Sequence, residues 1–216
     1  MKTLLAACAA AVLILVPVAA SDTHAAHWSY SGPGAPEHWA DLSSDNAACA
    51  AGKRQSPVDI VQSAPASLPA LAIAWAKGKY TVVNNGHTIQ LDAPAGGTLT
   101  VAGRVYDLVQ FHFHAPSEHT QGGKPAAMEV HFVHRERGGT NLAVLGVFID
   151  AGRPNPTFAS IMAAAPRAAG KTSEIVLDPA ALLPAAKADI AKFRALYPMN
   201  ARPVQPLNGR TISVAP

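Results

Sequence analysis

The chain has 216 residues, which is long enough for one domain with a sizeable core. Its 17 lysines and arginines stand against 14 aspartates and glutamates, so the formal net charge is only +3. The basic residues are also scattered rather than clustered. Charge therefore gives no reason to expect a nucleic acid or an anionic membrane surface as a partner.

The first twenty residues have the pattern of a secretory signal peptide. Lys2 precedes an apolar stretch over residues 4–18, and small residues follow at 19–21. The stretch is shorter than the about 20 apolar residues that a membrane span needs. We predict a signal peptide over residues 1–20, with cleavage as late as residue 25, and a single periplasmic domain over 21–216 without a membrane anchor. Removal of the signal takes Cys8 and leaves Cys49 alone in an oxidising compartment.

The next segment, residues 27–51, shows little periodicity and is rich in glycine and proline. This composition predicts an irregular segment laid over the body of the domain. Its aromatic residues Trp28, Tyr30 and Trp39 are expected to anchor it by packing.

The middle of the chain predicts an antiparallel sheet built from hairpins. Turn signals separate three pairs of strand-like runs, which are 80–83 with 87–92, 99–101 with 105–108, and 129–136 with 142–149. The run 142–149 is apolar on both faces, which predicts a central strand.

Helical signals come late in the chain. Asn155 before Pro156 is a capping residue followed by a first-turn proline, and it predicts a helix over residues 157–165. Apolar residues at helical spacing predict a second helix over residues 185–197, and a proline-rich tail follows from 202 to 216. The predicted class is α+β, with a large twisted, mostly antiparallel β-sheet and a few short peripheral helices.

Three histidines on two predicted strands indicate a metal site. His112 and His114 lie two residues apart, so their rings share one face of an extended strand, opposite the flanking phenylalanines. If the strand around His131 pairs as an antiparallel neighbour, its ring joins them across the ladder. Three neutral nitrogen ligands favour zinc over magnesium or calcium, and they leave a fourth position open.

Two polar residues on the same strands are candidates to orient these rings. Gln110 lies two residues before His112, and Glu129 lies two residues before His131. Each therefore shares a face with a proposed ligand and can accept the remaining ring N–H. Such a bond would fix the tautomer and the orientation of the ring.

Beyond the histidines, most of the chain downstream of the signal resembles the bacterial α-class carbonic anhydrases. Eight stretches match in the order of the family, and they are residues 34–39, 54–60, 84–88, 110–114, 116–119, 128–134, 142–146 and 197–207. The resemblance implies zinc-dependent, reversible hydration of carbon dioxide to bicarbonate and a proton, with carbon dioxide and bicarbonate as the small-molecule partners.

The resemblance also implies roles for individual residues. His112, His114 and His131 match the zinc ligands of the family. His87 matches the proton shuttle, an imidazole that passes protons to solvent. Glu118 matches a buried glutamate that helps to orient hydroxide. The other matching positions are Val133 and Val144 for the carbon dioxide wall, His119 beside Gln110 and Glu129 around the ligands, and Tyr30 and Gln55 in the polar network.

One block that is usual in the family is missing here. The family follows its Leu-Leu-Pro segment with a Tyr-rich strand, a Gly-Ser-Leu-Thr-Thr-Pro-Pro-Cys loop and a Trp-containing strand, whereas Leu182-Leu183-Pro184 leads straight into the late helix. We therefore expect an internal deletion near residues 184–186. In the family the first threonine works with the residue that Glu118 matches, and the loop cysteine pairs with the residue that Cys49 matches. The resemblance thus implies impaired hydration, a wider and wetter pocket, an orphan thiol and unpaired sheet edges.

Two other functions stay open at this point. One is a zinc-binding relative of the carbonic anhydrases without catalysis. The other is a cupin-type metal oxygenase, because His112-x-His114-x3-Glu118 resembles the first motif of that fold, and Glu118 would then ligate iron or manganese. The sequence does not determine the oligomeric state.

Overall fold

A computed structural model describes residues 27–61, 63–182 and 185–214 of the chain. The predicted signal peptide lies outside these residues, and so do Leu183 and Pro184 at the predicted deletion. Among the described residues, every helix is too short or too polar to cross a bilayer.

The described residues form mostly β-structure. In chain order the strands are β1 (Asp59–Ile60), β2 (Ser63–Pro65), β3 (Ala72–Ala74), β4 (Gly78–Asn84), β5 (Ile89–Asp92), β6 (Thr98–Val101), β7 (Arg104–His114), β8 (Thr120–Gln121), β9 (Lys124–Pro125), β10 (Met128–Glu136), β11 (Leu142–Ile149), β12 (Ala151–Gly152), β13 (Lys171–Leu177), β14 (Ala185–Ala186) and β15 (Ile212–Val214).

Eight of these strands form one large sheet. Its main path is β11-β10-β7-β5-β4-β13, with β6 beside β7 and β3 beside β6. Every pairing in this sheet is antiparallel. The remaining short strands form small ladders at its periphery, of which β1 with β8, β12 with β14 and β15 with β2 are parallel. The predicted fold class, a large antiparallel sheet with few short helices, is confirmed.

The helices are short, as predicted. They are α1 (Trp39–Leu42), α2 (Ala48–Ala51), α3 (Pro156–Ala164) and α4 (Lys187–Leu196). At the start of α3 the Asn155 side chain accepts a hydrogen bond from the Phe158 N–H at 3.0 Å, which is the predicted cap. The segment 27–51 is less irregular than predicted, because it contains α1, α2 and three single 3-10 turns.

The core lies between one face of the large sheet and the helices α3 and α4. Phe113 of β7 contacts Phe158 of α3 and Phe193 of α4, with ring centroids 5.2 and 6.1 Å apart. All three rings are fully buried. The opposite face of β7 and β10 is thereby left for polar side chains.

The three predicted hairpins are present, with two differences in detail. Strand β5 begins at Ile89, so His87 lies in the loop between β4 and β5 and not on the second arm. The β6–β7 hairpin turns through Ala102 and Gly103, which have φ angles of +50° and +75°. Both values suit a two-residue hairpin turn whose twist matches the strands.

The prediction that β11 is a central strand is wrong for the described part of the sheet, because β11 ends the path of strands. Leu145 and Val147 pack against the core, whereas Leu142 and Val144 on the other face are 59% and 54% exposed. Burial among the described residues therefore does not explain why Leu142 and Val144 are apolar.

A β-bulge interrupts the pairing of β7 with β10. Val133 pairs with Gln110 and His134 pairs with Leu108, so Val109 has no partner residue in β10. The extra residue shifts the alternation of β7. As a result Leu108 faces the same core as Phe111, while Gln110 stays on the face of the histidines.

Candidate metal centre

Three histidine rings converge on the face of the sheet opposite the core. The strand register pairs His131 of β10 directly with His112 of β7, and His114 lies two residues further along β7. The ring centroids are 5.0, 5.4 and 4.7 Å apart, and one nitrogen of each ring lies within 4.8 Å of the other two. Alternation within β7 and register with β10 together create this cluster.

Two of the rings are oriented through their Nδ1 atoms. Gln110 Oε1 lies 2.9 Å from His112 Nδ1, and the carbonyl oxygen of Asn200 lies 2.7 Å from His114 Nδ1. A carbonyl oxygen only accepts, so each Nδ1 donates its hydrogen. Both rings therefore turn a bare Nε2 toward the cluster, and His114 Nε2 is buried without a hydrogen-bond partner in the described residues.

The third ring, that of His131, is held through Nε2 and not through Nδ1. His131 Nε2 lies 2.9 Å from Glu129 Oε1, although the N–H is not well aligned with that oxygen. The distance is the stronger indication, because Glu129 is buried and fixed by other bonds: His119 Nδ1 lies 2.8 Å from Oε1, and the amides of Glu118 and His119 each lie 2.9 Å from Oε2. His131 is left with Nδ1 for a ligand.

The electrostatics of the cluster suit a metal ion. Burial, together with a smaller contribution from the neighbouring His114 and His131 rings, lowers the pKa of His112 to about 3. Burial likewise lowers the pKa of His114. Burial alone would raise the pKa of Glu129, but hydrogen bonds from His119 and His131 outweigh it and lower the pKa. Neutral imidazoles backed by a carboxylate are the donors that zinc prefers, so these residues fit that metal.

Glu118 lies behind the same cluster and is bound by an arginine. Its Oε1 accepts from the Arg202 backbone N–H at 3.0 Å and from Arg202 Nε at 2.8 Å, and its Oε2 accepts from a terminal guanidinium nitrogen at 2.7 Å. Oε1 is also 3.6 Å from His114 Nδ1, and Oε2 is 3.9 Å from His131 Nδ1. Burial would raise the pKa of Glu118, but the bonds from Arg202 outweigh it and lower the pKa.

An open cavity of about 340 Å³ gives access to the cluster. His112, His114 and Arg202 line it from one side, and the remaining lining residues come from the N-terminal segment, namely Trp28, Tyr30, Trp39, Asn46 and Cys49. Cys49 has no disulfide partner in the described chain. Burial raises the pKa of Tyr30, and the charge of Glu118 adds to the effect.

His87, the predicted proton shuttle, lies beside the aromatic wall of this cavity. Its ring stacks on Trp28 with centroids 3.5 Å apart and an interplanar angle of 14°, and His27 stacks at 5.1 Å. Burial lowers the pKa of His87, and His27 lowers it further. An imidazole with a lowered pKa releases its proton readily near neutrality.

Gln55 and the two predicted wall valines are not brought to this cavity. Gln55 donates to the carbonyl oxygens of Cys49 and Gly52 within its own segment. Val133 and Val144 pair across β10 and β11 on the face of His131. Neither valine lines the 340 Å³ cavity, and Val144 instead lines a separate one of about 230 Å³ with His119 and Glu129.

Sequence reasoning missed two residues of the site, Asn200 and Arg202, which were described only as part of the chain end. The Asn200 side chain is buried, accepts from the Ala115 N–H at 2.8 Å and donates to the carbonyl oxygens of Phe113 at 2.8 Å and His87 at 3.1 Å. Both residues lie in the stretch 197–207 that resembles the family, and this stretch is the signal for them in the sequence.

Comparisons with known proteins agree with this geometry. A family model described as eukaryotic-type carbonic anhydrase matches residues 34–197. The carbonic anhydrase of Klebsiella pneumoniae is 38% identical over 248 residues, covering 98% of this chain and 99% of the relative, and that of Neisseria gonorrhoeae is 38% identical over 239 residues, covering 94% of each. Among solved structures, the α-carbonic anhydrase of Thermovibrio ammonificans superposes with a TM-score of 0.83 at 36% identity, covering 87% of this chain and 99% of that one. That of Photobacterium profundum gives 0.81 at 37% identity, covering 87% and 100%.

Proposed function

The chain belongs to the eukaryotic-type, α-class carbonic anhydrase family, and on that basis we propose that it hydrates carbon dioxide at a zinc ion held by His112, His114 and His131. Carbon dioxide and bicarbonate are the substrate and the product of this family's reaction. The observation that carries the zinc assignment is the convergence of three ring nitrogens, of which His114 Nε2 is buried without a partner in the described residues.

The protein's part in the reaction is to hold and orient the ligands. When bound, zinc supplies the acidity that turns a water molecule into hydroxide near neutral pH. Gln110, Asn200 and Glu129 hold the three rings from behind, so the free nitrogens point at one position. Because these partners are fixed before any substrate arrives, little reorganisation is needed during turnover.

Proton release is assigned to His87. Its loop position and its lowered pKa suit an imidazole that takes a proton from the cavity and gives it to solvent. Stacking on Trp28 fixes the plane of the ring at the edge of the cavity.

We propose that the activity is lower than that of full-length relatives because the threonine loop is absent. The stretch aligned with the Klebsiella pneumoniae relative is 248 residues long, whereas this chain has 216, so the relative carries residues that this chain lacks. Further support comes from Glu118, which within the described residues bonds to Arg202 and not to a hydroxyl group, and from the exposed side chain of Val144. The Glu118 carboxylate is thus committed to Arg202, and the predicted wall residue Val144 faces solvent.

We also propose export to the periplasm, with a signal peptide over residues 1–20 and the enzyme domain over 21–216. The support is the pattern of one basic residue, a short apolar stretch and small residues at the start of the chain.

A zinc-binding protein without catalysis is the second candidate. The ion pair of Glu118 with Arg202 favours it, because both carboxylate oxygens are already occupied. The cupin-type oxygenase is not proposed, since the fold is that of α-class carbonic anhydrases and Glu118 does not join the cluster of ring nitrogens.

Metal analysis combined with a carbon dioxide hydration assay tests the proposal. The purified protein should carry about one zinc per chain, and His112→Ala should lose it while the exposed His38→Ala keeps it. A folded protein that binds no zinc would overturn the proposal. Activity equal to that of the Klebsiella pneumoniae relative, assayed in parallel, would overturn the claim of lowered activity. Zinc without measurable hydration would favour the second candidate.

A further inference from the structure

Arg202 reaches the buried face of the metal centre and binds a carboxylate that could itself be a metal ligand. We propose that Arg202 is a positioning residue that keeps Glu118 out of the coordination shell, so that the fourth position stays open to a small exchangeable ligand. The inference rests on the proposed zinc site and adds a residue that determines how many protein ligands the metal has.

Glu118 is close enough to compete for the metal. Its Oε2 lies 3.9 Å from His131 Nδ1, the nitrogen that Glu129 leaves free for the metal. Carboxylate oxygens are common zinc ligands alongside histidine nitrogens. A modest rotation of this side chain would therefore convert a three-histidine site into a three-histidine, one-carboxylate site.

Arg202 removes that option by occupying both oxygens. The guanidinium bonds Oε1 at 2.8 Å and Oε2 at 2.7 Å, and the Arg202 backbone N–H bonds Oε1 at 3.0 Å. A two-pronged arginine–carboxylate pair is both strong and specific in geometry. It also supplies the counter-charge that the Glu118 side chain, which is 0% exposed, requires.

The arginine itself is held without any help from a metal. Asn200, two residues earlier, is anchored through its side chain and its carbonyl oxygen to Ala115, Phe113, His87 and His114. In the described part of the chain, the Arg202 guanidinium is the permanently charged group within 4.0 Å of the Glu118 carboxylate, and the other nitrogens in that range belong to the rings of His114 and His131. If Arg202 is removed, the bound metal becomes the nearest remaining cation.

Cobalt(II) substitution tests the inference, because its visible spectrum reports the ligands. In the wild-type protein, thiocyanate should bind at the open position and change the cobalt spectrum. In Arg202→Gln, Glu118 should bind the metal, so the affinity for cobalt should rise about tenfold or more in chelator competition, and thiocyanate should no longer change the spectrum. The double variant E118Q/R202Q should regain the thiocyanate response.

A matched control is Arg210→Gln, which removes the same charge from the same tail, where Arg210 bonds only to the carbonyl oxygens of Leu207 and Pro206. It should behave like the wild type. If Arg202→Gln does not fold, Arg202→Lys keeps the charge but loses the two-pronged geometry and should show a partial loss of the thiocyanate response. Unchanged or weaker cobalt binding with an intact thiocyanate response, in whichever variant folds, overturns the inference. Failure of the wild type to bind cobalt overturns the proposed zinc site instead.

Discussion

The two sides of the metal centre are built very differently. On the side of β7 and β10, the rings of His114 and His131 are 4% and 6% exposed, and the second nitrogen of every ligand ring faces an oxygen atom. On the side of β11, Val144 is 54% exposed and strand pairing ends within the described residues. The proposed zinc ligands and the proposed substrate wall therefore depend on separate parts of the fold.

The difference follows from where the supporting atoms come from. The ligand rings are positioned by alternation within one strand and by register with its neighbour, which are properties of the strands themselves. A wall over β11 would have to come from another segment packed against it. We therefore expect changes on the β7–β10 side to affect metal and stability, and changes on the β11 side to affect neither strongly unless they reach Glu129.

Asn200→Ala should give the largest loss of stability. It would disrupt the side of the site formed by β7 and β10, which we call the packed side. The substitution removes three side-chain hydrogen bonds and leaves the buried Ala115 N–H without its partner, whereas the Phe113 carbonyl oxygen keeps only the Thr88 hydroxyl. We expect the free energy of unfolding to fall by about 3 kcal/mol, measured by urea denaturation. Asn141→Ala, at an exposed site, should change it by less than about 0.5 kcal/mol. Equal losses in the two variants would mean that the packed side is not special.

Gly146→Ala tests a contact between the two sides. Gly146 belongs to β11, on the solvent-exposed side that we call the open side, and it lies beside Glu129 of β10 on the packed side. A Cβ at Gly146 would lie 2.7 Å from Glu129 Oε1, so Glu129 would have to move away from His131. We expect the affinity for zinc to fall by about tenfold, as for other losses of a residue that supports a ligand. Gly103→Ala adds the same methyl group in a turn where it meets no atom within 4 Å. The φ of +75° makes that alanine strained, so the control should lose some stability but leave the zinc affinity of the folded protein unchanged.

The buried His134 lies within β10 and predicts a pH dependence of the stability of the β7–β10 side. Trp75 Nε1 donates to His134 Nε2 at 3.1 Å, and burial lowers the pKa of His134 below its usual value of 6.5. The unfolded state therefore binds the proton first, so this stabilisation is present above pH 6.5 and is lost as the pH falls. The slope for one proton cannot exceed about 1.4 kcal/mol per pH unit.

His134→Gln keeps an acceptor for Trp75 but does not titrate. Denaturation curves between pH 7 and pH 5 should therefore be flatter for this variant than for the wild type. The exposed His38→Gln is the control and should follow the wild type. A wild-type slope in His134→Gln would show that the acid sensitivity has another source.

Val144→Lys should have the smallest effect on stability. It tests whether β11, as an exposed edge strand, pairs with other copies of the chain. A lysine on an exposed terminal strand opposes pairing with other chains, and β11 carries no charged residue. We expect self-association at high concentration to decrease in sedimentation experiments, with stability changed by less than about 0.5 kcal/mol. The same substitution at Val176, on the opposite terminal strand β13, should have no effect on association, because β13 already carries Lys171 and Glu174.

The sequence allowed the packed side to be predicted well, because its geometry is local. The alternation of Phe111 and Phe113 with His112 and His114 gave the ligand face, and Asn155 before Pro156 gave the start of α3. The β7 bulge is also visible in the sequence as a break in the alternation of apolar residues. The core residues Leu108 and Phe111 are three positions apart, whereas a regular strand would place them two or four apart.

The remainder depended on contacts between distant residues. The edge position of β11 could not be predicted from its own composition, because an apolar strand is compatible with either place in a sheet. Strand β13 was not predicted at all, since its residues 171–174 are polar and only its pairing with β4 makes it a strand. The bonds of Asn200 and Arg202 to the site likewise join elements that no periodic pattern connects.

The separation between the ligands and their supports along the chain sets the order in which the site can form. His114 is held by a residue 86 positions later, and Glu118 by one 84 positions later. Contacts of such long range form slowly in folding, because a large loop must close before they stabilise anything. The strand pair can therefore present its histidines early, whereas their final orientation waits for the segment around Asn200 to dock. We therefore expect tight capture of the proposed zinc ion to be a late event in the maturation of this protein.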